Sequence, residues 1–180
     1  MMKRGRLFVA GMLAGISFSV LGVTTPVWSA FRIDPGADIQ ADPETVQAIE
    51  NTFIRADSAI EEGDLDALMQ LYSENYRYKD LTKADMRKIW QDFFEQYDRV
   101  DTLHAFSRIE VKPGNPLTAL ITCTGALWAT SDQTNQRVDL ASWVGDIHHL
   151  IFEDGVWKIL GQRRNAPNRS EFGQAPPPLF

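Results

Sequence analysis

Two helices and a strand meet in residues 62–80, EGDLDALMQLYSENYRYKD. The Gly-Asp pair near its start suits the C-terminal end of one helix and the N-terminal cap of the next. The sequence then alternates with a period of two, which places Tyr76, Tyr78 and Asp80 on one face of a short strand. This stretch therefore predicts a helix, a second helix and a strand that delivers the carboxylate of Asp80.

Helical patterns flank this stretch on both sides. On the N-terminal side, Asp42 can cap a helix whose first position is Pro43, and apolar residues then recur at helical spacing. On the C-terminal side, Thr82 and Asp85 form a capping-box pair before a third helix with a thick apolar face. The predicted apolar faces are Val46, Ile49, Phe53 and Ile60 on the first helix, and Met86, Ile89, Trp90, Phe93 and Tyr97 on the third.

The hydrophobic pattern changes to a period of two from Thr102 onward. Turn sequences rich in Pro, Gly, Asn or Asp separate long strand-like segments, which include residues 117–130, 137–152 and 156–160. The whole pattern predicts an α+β fold with three N-terminal helices packed in the concave face of a curved, mainly antiparallel sheet. Such a fold is cone-shaped and leaves room for a cavity between the helices and the sheet.

The first thirty residues have the composition of an export signal. Three basic residues precede an apolar run over residues 7–23, and Val27–Ala30 forms the exit. The alternative is an uncleaved membrane anchor, but the run is shorter than the roughly 20 residues needed to span a bilayer. We therefore predict cleavage and export to the periplasm or the exterior, with no membrane association afterwards.

The remaining chain is long enough for one domain. The predicted divisions are a signal peptide over 1–30, a linker over 31–41, a single domain over 42–164 and a disordered Pro-rich tail over 165–180. The linker is predicted because Pro, Gly and Asp occur there without periodicity.

Charge and cysteine content narrow the function classes. The signal contains three of the 18 Lys and Arg and none of the 24 Asp and Glu, so the mature chain carries a formal charge of −9. Such a polyanion is repelled by phosphate, which argues against nucleic acid as a partner. The single cysteine, Cys123, excludes an intrachain disulfide, and its apolar neighbours predict a small buried side chain rather than a nucleophile.

The sequence favours neither a metal nor a cofactor. His148 and His149 are adjacent on a predicted strand and point to opposite faces, so they cannot chelate one ion. A site built from His104, one of this pair and Asp80 requires tertiary convergence that the sequence does not show. Glycine-rich nucleotide-binding motifs and a Gly-x-Ser-x-Gly motif are absent from the sequence. What remains is acid-base chemistry or simple binding.

Asp80 is the best candidate for acid-base catalysis on the sequence alone. It shares a strand face with two tyrosines and precedes a helix that carries Trp90 and Phe93, so burial would raise its pKa toward a working range. The alternative is an aspartate that only caps local backbone. His148 is the candidate second group, with Asp146 on the same strand face, and its alternative is a half-buried histidine at a sheet edge or subunit contact.

Other residues are candidates for binding a ligand. The predicted ligand-binding set is Tyr76, Tyr78, Trp90, Phe93, His104 and Trp128. For the aromatic members the alternative is an ordinary core or dimer position.

The region from Asp42 to about Arg163 resembles the nuclear transport factor 2-like superfamily, which includes SnoaL-like polyketide cyclases, ketosteroid isomerases and scytalone dehydratase. The resemblance rests on residues 62–72 with 78–80, and on FEDGVWKI at 152–159. It implies a cystatin-like roll with a cone-shaped pocket.

Against ketosteroid isomerases, Asp80 falls at the general base. The oxyanion-hole tyrosine is replaced by Ala56, and the acidic hydrogen-bond donor is replaced by His148. These departures argue against steroid isomerisation itself, because an enolate would lack its usual donors.

Two hypotheses follow, because a fold of this kind does not fix its function. The first is a pocket for a hydrophobic or mixed-polarity small molecule, with lyase, isomerase or cyclase chemistry in which Asp80 takes a proton and His148 or Tyr78 stabilises the charge. The second is a non-catalytic module that binds a ligand or a protein. A homodimer through the sheet is expected from proteins of this shape, and whether the chain is an enzyme is left open.

Overall fold

The structure is a computed structural model that describes residues 31–131 and 133–163. The predicted signal peptide and the predicted Pro-rich tail lie outside the described residues. Within the two described ranges, no helix has both the length and the apolar composition needed to cross a membrane.

The described residues form an α+β fold with one mixed sheet of seven strands. The strands are β1 (Phe31–Gln40), β2 (Tyr72–Tyr78), β3 (Leu81–Thr82), β4 (Tyr97–Lys112), β5 (Thr118–Ser131), β6 (Arg137–Glu153) and β7 (Val156–Arg163), and the helices are α1 (Pro43–Glu61), α2 (Leu65–Gln70) and α3 (Lys83–Gln96). The strand order is β1-β4-β5-β6-β7-β2-β3. The β1–β4 and β2–β7 pairs are parallel, and the other pairs are antiparallel. The predicted α+β class is confirmed.

The helices begin where the capping residues predict. The Asp42 carboxylate accepts a hydrogen bond from the backbone N–H of Thr45 at 2.9 Å, and Asp64 caps α2 in the same way. Thr82 and Asp85 form the predicted capping box at the start of α3. Each cap satisfies a backbone N–H that has no partner within the helix, so local sequence sets these three helix starts.

Residues 31–41 are not a linker, and this prediction is wrong. Phe31–Gln40 forms the edge strand β1, which pairs with β4 and whose Phe31 ring packs against Phe106 at 4.7 Å between centroids. The pairing shifts register between Ile33 and Asp38, and Gly36 within that interval has φ of +86°. An edge strand interrupted in this way tolerates proline and glycine and shows no clean alternation, which explains why the sequence pattern looked irregular.

The strand predicted to end at Asp80 ends two residues earlier. Tyr78 pairs with Leu81, so Lys79 and Asp80 form a two-residue loop between β2 and β3. Lys79 has φ of +52°, which breaks the alternation that would have placed Asp80 beside Tyr76 and Tyr78. Both tyrosines are buried, whereas Asp80 is exposed.

A bulge in β4 divides its inner face. The pairing of β4 with β5 shifts between Phe106 and Arg108. Positions 100, 102, 104 and 106 are buried at alternate places before the shift, and Ile109 is buried after it. We call the face of the sheet that packs against α1 the inner face. Because of the shift, His104 and Phe106 both lie on the inner face together with Ile109.

The buried side chains form two clusters. One contains buried residues of α2, α3 and β2, among them Tyr72, Tyr76 and Trp90. The other joins α1 and β1 to the central strands, including Phe53, Phe106 and Cys123. Buried polar side chains are inserted beside the second cluster, and they make up the candidate site.

Candidate functional site

The candidate site lies where α1 crosses the inner face of β4. Residues four apart on a helix and two apart on a strand share a face, so α1 and β4 meet in successive layers. Glu61 and Val100 line a cleft in the first layer, Asp57 meets Thr102 and His104 in the second, and Phe53 packs on Phe106 in the third. The polar layer is therefore enclosed between a cleft and an aromatic core.

Asp57 is a carboxylate held inside the protein. Its residue exposure is 4%, and its Oδ1 accepts a hydrogen bond from the Thr102 hydroxyl at 2.5 Å. The same oxygen lies 3.5 Å from Nδ1 of His104, which is fully buried. Its Oδ2 has no hydrogen-bond partner among the described residues. Burying a carboxylate is costly, and here a hydroxyl and an imidazole compensate that cost.

His148 completes what we call the inner polar cluster, defined by Asp57, Thr102, His104 and His148. His148 is 1% exposed, and the centroids of the two imidazole rings are 6.0 Å apart. The ring of Phe53 packs at 5.5 Å from each imidazole. One aromatic side chain thus fixes the positions of both histidines.

A second pair of polar groups lies beside His148. Asp146, which is 3% exposed, accepts a hydrogen bond from Nε2 of Gln162 at 3.3 Å. Gln162 in turn is the sheet partner of His148 on β7. The sequence prediction that Asp146 and His148 share a strand face agrees with their common burial.

Cys123 and Trp143 border the cluster on the other side. The indole N–H of Trp143 donates to the Cys123 sulfur at 3.4 Å, and its ring lies 5.4 Å from the ring of His104. Burial raises the pKa of the Cys123 thiol to about 12, so the side chain is a neutral thiol at ordinary pH. Gly125 permits this arrangement, because a Cβ there would overlap both the Leu103 carbonyl oxygen and the Trp143 ring.

A cleft of about 250 Å³ opens one helical turn from Asp57. It is lined by Ile60, Glu61, Glu62, Gly63, Phe94, Tyr97 and Val100. Burial raises the pKa of the Glu61 carboxyl above its ordinary value, and the nearby charges of Asp57, Asp101 and Glu62 raise it further. The lining of the cleft therefore combines aromatic and carboxylate side chains, and its Glu61 lies one helical turn from Asp57.

Asp80 does not belong to this cluster. We expected its carboxylate to be shielded beside Trp90 and Phe93, and this expectation is wrong, because the residue is exposed in the β2–β3 loop. His148, by contrast, is buried on the inner face beside Phe53 and is not the half-buried edge histidine of the alternative. His104 also lies inside, where it is brought together with His148.

The predicted tyrosine and tryptophan ligands pack mainly against one another. The Trp90 indole N–H donates to the Tyr72 hydroxyl at 3.1 Å, and the Tyr72 and Tyr76 rings are 5.1 Å apart. Tyr78 is 7% exposed in the same cluster, and Phe93 is half-buried 6.0 Å from Trp90. These aromatic residues therefore occupy ordinary core positions. The Tyr76 hydroxyl has no hydrogen-bond partner among the described residues.

Trp128 lies on the other face of β5. It alternates with the buried residues Leu127 and Ala129, and the guanidinium of Arg137 lies 4.3 Å above its ring. It is therefore separated from the inner polar cluster by the sheet itself.

Sequence reasoning missed Asp57, Thr102 and Cys123 as members of one site. A signal for Asp57 was present, because it follows Phe53 by four residues and precedes Ile60 by three on the apolar face of α1. A charged residue within an apolar stripe is uncommon unless it has a buried partner. Thr102 and Cys123 gave no comparable signal, since threonine and cysteine are ordinary residues in strands.

Comparison with known proteins gives matches by structure alone. No family model matches the sequence, and no curated protein matches it. A conserved protein from Planctomyces limnophilus aligns with 67% of this chain and 94% of its own, at 12% identity and a TM-score of 0.56. A ketosteroid isomerase-like protein from Erwinia carotovora atroseptica aligns with 70% of this chain and 100% of its own, at 17% identity and a TM-score of 0.51.

A third match concerns part of a larger protein. Bd1075 from Bdellovibrio bacteriovorus aligns over 71% of this chain at 11% identity and a TM-score of 0.51, and the alignment covers only 42% of the Bd1075 chain. At these identities the matches define the fold and nothing finer. The chain has the nuclear transport factor 2-like fold, as its sequence predicted.

Proposed function

We propose that this protein is a proton-transfer enzyme of the lyase or isomerase type that acts on a small molecule. The observation that carries the proposal is the buried pair of Asp57 and His104, 3.5 Å apart, with His148 on the same inner face. Two buried imidazoles, one of them beside a carboxylate, can act as the base and the acid of a proton transfer. In this proposal Asp57 is the carboxylate of the acid-base site, the role that the sequence suggested for Asp80.

Each member of the inner polar cluster has a distinct part. The carboxylate of Asp57 orients His104 and stabilises the imidazolium that forms when His104 accepts a proton from the substrate. Thr102 holds the carboxylate through its 2.5 Å hydrogen bond. His148, whose ring centroid lies 6.0 Å from that of His104, donates a proton to the leaving group or stabilises the developing negative charge.

The cleft indicates what kind of substrate fits. Phe94 and Tyr97 offer aromatic contact, whereas Glu61 offers a carboxyl group one helical turn from Asp57. A compact molecule of mixed polarity satisfies both surfaces. Entry from the cleft to the polar layer requires side chains to move, since the lining residues Ile60 and Val100 are almost fully buried.

The test begins with the ligand. Small molecules that copurify with the chain are identified by mass spectrometry and then incubated with fresh protein in D₂O. The reaction is monitored by nuclear magnetic resonance. With the wild-type chain we expect deuterium incorporation into the small molecule or its conversion. Asp57→Asn and His148→Gln are expected to lower that rate by about 10²–10⁴-fold, the usual loss when a positioned acid or base is removed.

Asp80→Asn is the matched control, because it makes the same chemical change at an exposed carboxylate. It is expected to retain the wild-type rate. A rate that falls in Asp80→Asn and stays normal in Asp57→Asn would show that Asp80, and not Asp57, takes part in the reaction. Equal rates in all variants would overturn proton transfer by this cluster.

The second candidate function is a non-catalytic binding module, and one observation favours it. Trp90 and Phe106 are fully buried, as expected for a scaffold whose interior is filled, and His104 is fully buried as well. In that case a copurifying ligand binds in the cleft and remains chemically unchanged. Binding that persists in Asp57→Asn, with no deuterium incorporation in the wild-type chain, would support this candidate.

We also propose export and homodimerisation, as the sequence suggested. Val144 is 72% exposed on β6, so a substitution there tests an apolar contact between subunits through the sheet. Mass spectrometry of the secreted form tests cleavage after residues 29 or 30. Light scattering of the wild-type chain and of Val144→Asp tests the dimer, and a monomer in both would exclude it.

A further inference from the structure

Three side chains with metal-binding chemistry meet on the inner face. They are His104 on β4, Cys123 on β5 and His148 on β6, all buried, and one ligand atom from each lies within 4.8 Å of the others. His104 pairs with Gly125 and His148 pairs with Ile121, so each histidine is the diagonal neighbour of Cys123 across one strand boundary. Three adjacent strands therefore supply one ligand each.

We propose that His104, Cys123 and His148 bind a late first-row transition metal ion, with Zn²⁺ as the ion that best fits. Zn²⁺ accepts imidazole nitrogen and thiolate sulfur, and it has no geometric preference from its d electrons. Three protein ligands leave one coordination position for a small molecule. The sequence alone disfavoured this site, because only the folded sheet brings His104 to one member of the His148–His149 pair.

The distances are compatible with coordination after a small adjustment. Tetrahedral bonds of about 2.0–2.1 Å to nitrogen and about 2.3 Å to sulfur place ligand atoms about 3.3–3.6 Å apart. The widest separation among the three atoms, within 4.8 Å, therefore has to close by at most about 1.2–1.5 Å. Rotation of the imidazole and thiol side chains is the movement that would bring the three atoms together.

Asp57 supplies the outer contact that such sites require. A metal-bound histidine usually offers its second nitrogen to a carboxylate or carbonyl, which fixes the ring. Nδ1 of His104 lies 3.5 Å from Oδ1 of Asp57, so this contact is already present on one ligand. Thr102 in turn holds Asp57.

The charge of the site favours a divalent cation. Among the described residues, Asp57 forms an ion pair only with His104, and its Oδ2 accepts no hydrogen bond there. A divalent ion balances one thiolate and one carboxylate. Coordination removes the proton of the Cys123 thiol, because a metal-bound thiol is a thiolate.

This inference goes beyond the proposed function and can fail separately from it. Proton transfer uses His104 and His148 with Asp57 in the metal-free chain, because an imidazole bound to an ion cannot accept a proton, and it has no need of Cys123. Metal binding requires Cys123. Cys123→Ser therefore abolishes metal binding and leaves the acid-base groups in place.

The test uses Co²⁺ as a spectroscopic probe on the full chain after treatment with a chelator. We expect one equivalent to bind, with thiolate-to-cobalt charge-transfer absorption that Zn²⁺ removes on displacement. Cys123→Ser is expected to lose that band, and His104→Gln and His148→Gln to bind at least 10-fold more weakly. Asp57→Asn is expected to weaken binding about 10–100-fold, as loss of an outer contact does.

His149→Gln is the matched control for His148→Gln. The two residues are adjacent on β6, and His149 is half-buried on the other face, outside the group of three ligands. It is expected to bind Co²⁺ as the wild-type chain does. A wild-type chain without the charge-transfer band, or a band that survives in both His104→Gln and His148→Gln, would overturn the proposal.

A measurement on the wild-type chain alone avoids variants that fail to fold. Zn²⁺ binding is measured by calorimetry in two buffers of different ionisation enthalpy, which reports the protons released. Release of at least one proton per Zn²⁺ is expected from the Cys123 thiol at a pH above the range in which histidines titrate, and a further proton comes from any water that ionises at the open position. Zinc binding without proton release there would place the ion elsewhere and contradict the proposal.

Discussion

Asp57 and Asp80 are two aspartates of one chain with opposite surroundings. Asp57 is 4% exposed in the middle of α1, where it meets a threonine hydroxyl and an imidazole. Asp80 is exposed in a two-residue loop, where water solvates its charge. The sequence drew attention to Asp80 because a strand pattern led to it. The contrast teaches that the chemistry of a carboxylate depends on what packs around it in three dimensions.

The two positions also differ in how their backbone is fixed. Asp57 lies on a helix whose neighbouring turns carry Phe53 and Glu61 on the same side, so its direction is set by the whole of α1. Asp80 follows Lys79, whose φ of +52° begins a tight turn and points the chain out of the sheet. One residue of positive φ is enough to move a carboxylate from a predicted interior to the solvent.

The largest expected effect on stability comes from the aromatic support of the interior site. Phe53 is 1% exposed and packs on His104, His148 and Phe106. Phe53→Ala is expected to lower the free energy of unfolding by about 3–5 kcal/mol, because it leaves a cavity at the centre of the second core cluster. Chemical denaturation followed by circular dichroism measures this change.

Ile54→Ala is the control for Phe53→Ala. Ile54 is the next residue on α1 and is 50% exposed, so its truncation removes few packed contacts. A loss within about 1 kcal/mol is expected there. Comparable losses in the two variants would mean that α1 does not bury the face described here.

The second prediction concerns alkaline pH. Burial raises the pKa of the Cys123 thiol from 9.0 to about 12, and burial also raises the pKa values of the Tyr72 and Tyr76 hydroxyls. Above pH 9 the unfolded chain loses the thiol proton while the folded chain keeps it, so the free energy of unfolding falls as pH rises. The expected slope from the thiol is about 1.4 kcal/mol per pH unit, and the tyrosines add to it above about pH 10.

Cys123→Ser separates the thiol from the tyrosines. Serine does not titrate in this range. The free energy of unfolding of the variant is therefore expected to stay constant between pH 9 and 10 and to fall above pH 10, where the tyrosines titrate. Denaturant midpoints measured at half-unit pH steps provide the comparison. An unchanged slope between pH 9 and 10 in the variant would contradict the assigned burial of Cys123.

The third prediction tests the close contact that places Trp143 beside the cluster. A Cβ at Gly125 would overlap the Leu103 carbonyl oxygen, which belongs to the neighbouring strand, and the Trp143 ring. Gly125→Ala is expected to lower the free energy of unfolding by about 1–3 kcal/mol through overpacking, and to change the near-ultraviolet circular dichroism of the indole. Normal stability with an unchanged spectrum would show that the Trp143 ring does not pack against Gly125.

The sequence predicted the fold well where local rules apply. The caps at Asp42, Asp64 and Thr82 and the α+β class are confirmed, because capping and periodicity depend on near neighbours in the chain. The strand β1 was missed, since its register shift around Gly36 and its edge position remove the alternation that marks a strand.

The site was harder to predict than the fold. His104 and His148 were both named from the sequence, but their meeting requires β4, β5 and β6 to align in one register. The partner of His104 is Asp57, 47 positions earlier in the chain and on a different element. Contacts over such distances are set by tertiary packing, which local patterns do not specify.

The smallest expected effect on stability is at Asp80, and it tests the other half of the comparison. Asp80→Ala removes an exposed charge from a loop in which the described residues give its carboxylate no ion pair. A change within about 0.5 kcal/mol in the free energy of unfolding is therefore expected at neutral pH. The histidine resonances of the variant should also match those of the wild-type chain, since Asp80 does not reach the inner polar cluster. A shifted His148 resonance, or a loss well above 1 kcal/mol, would show that Asp80 communicates with the interior and would remove the distinction between the two aspartates.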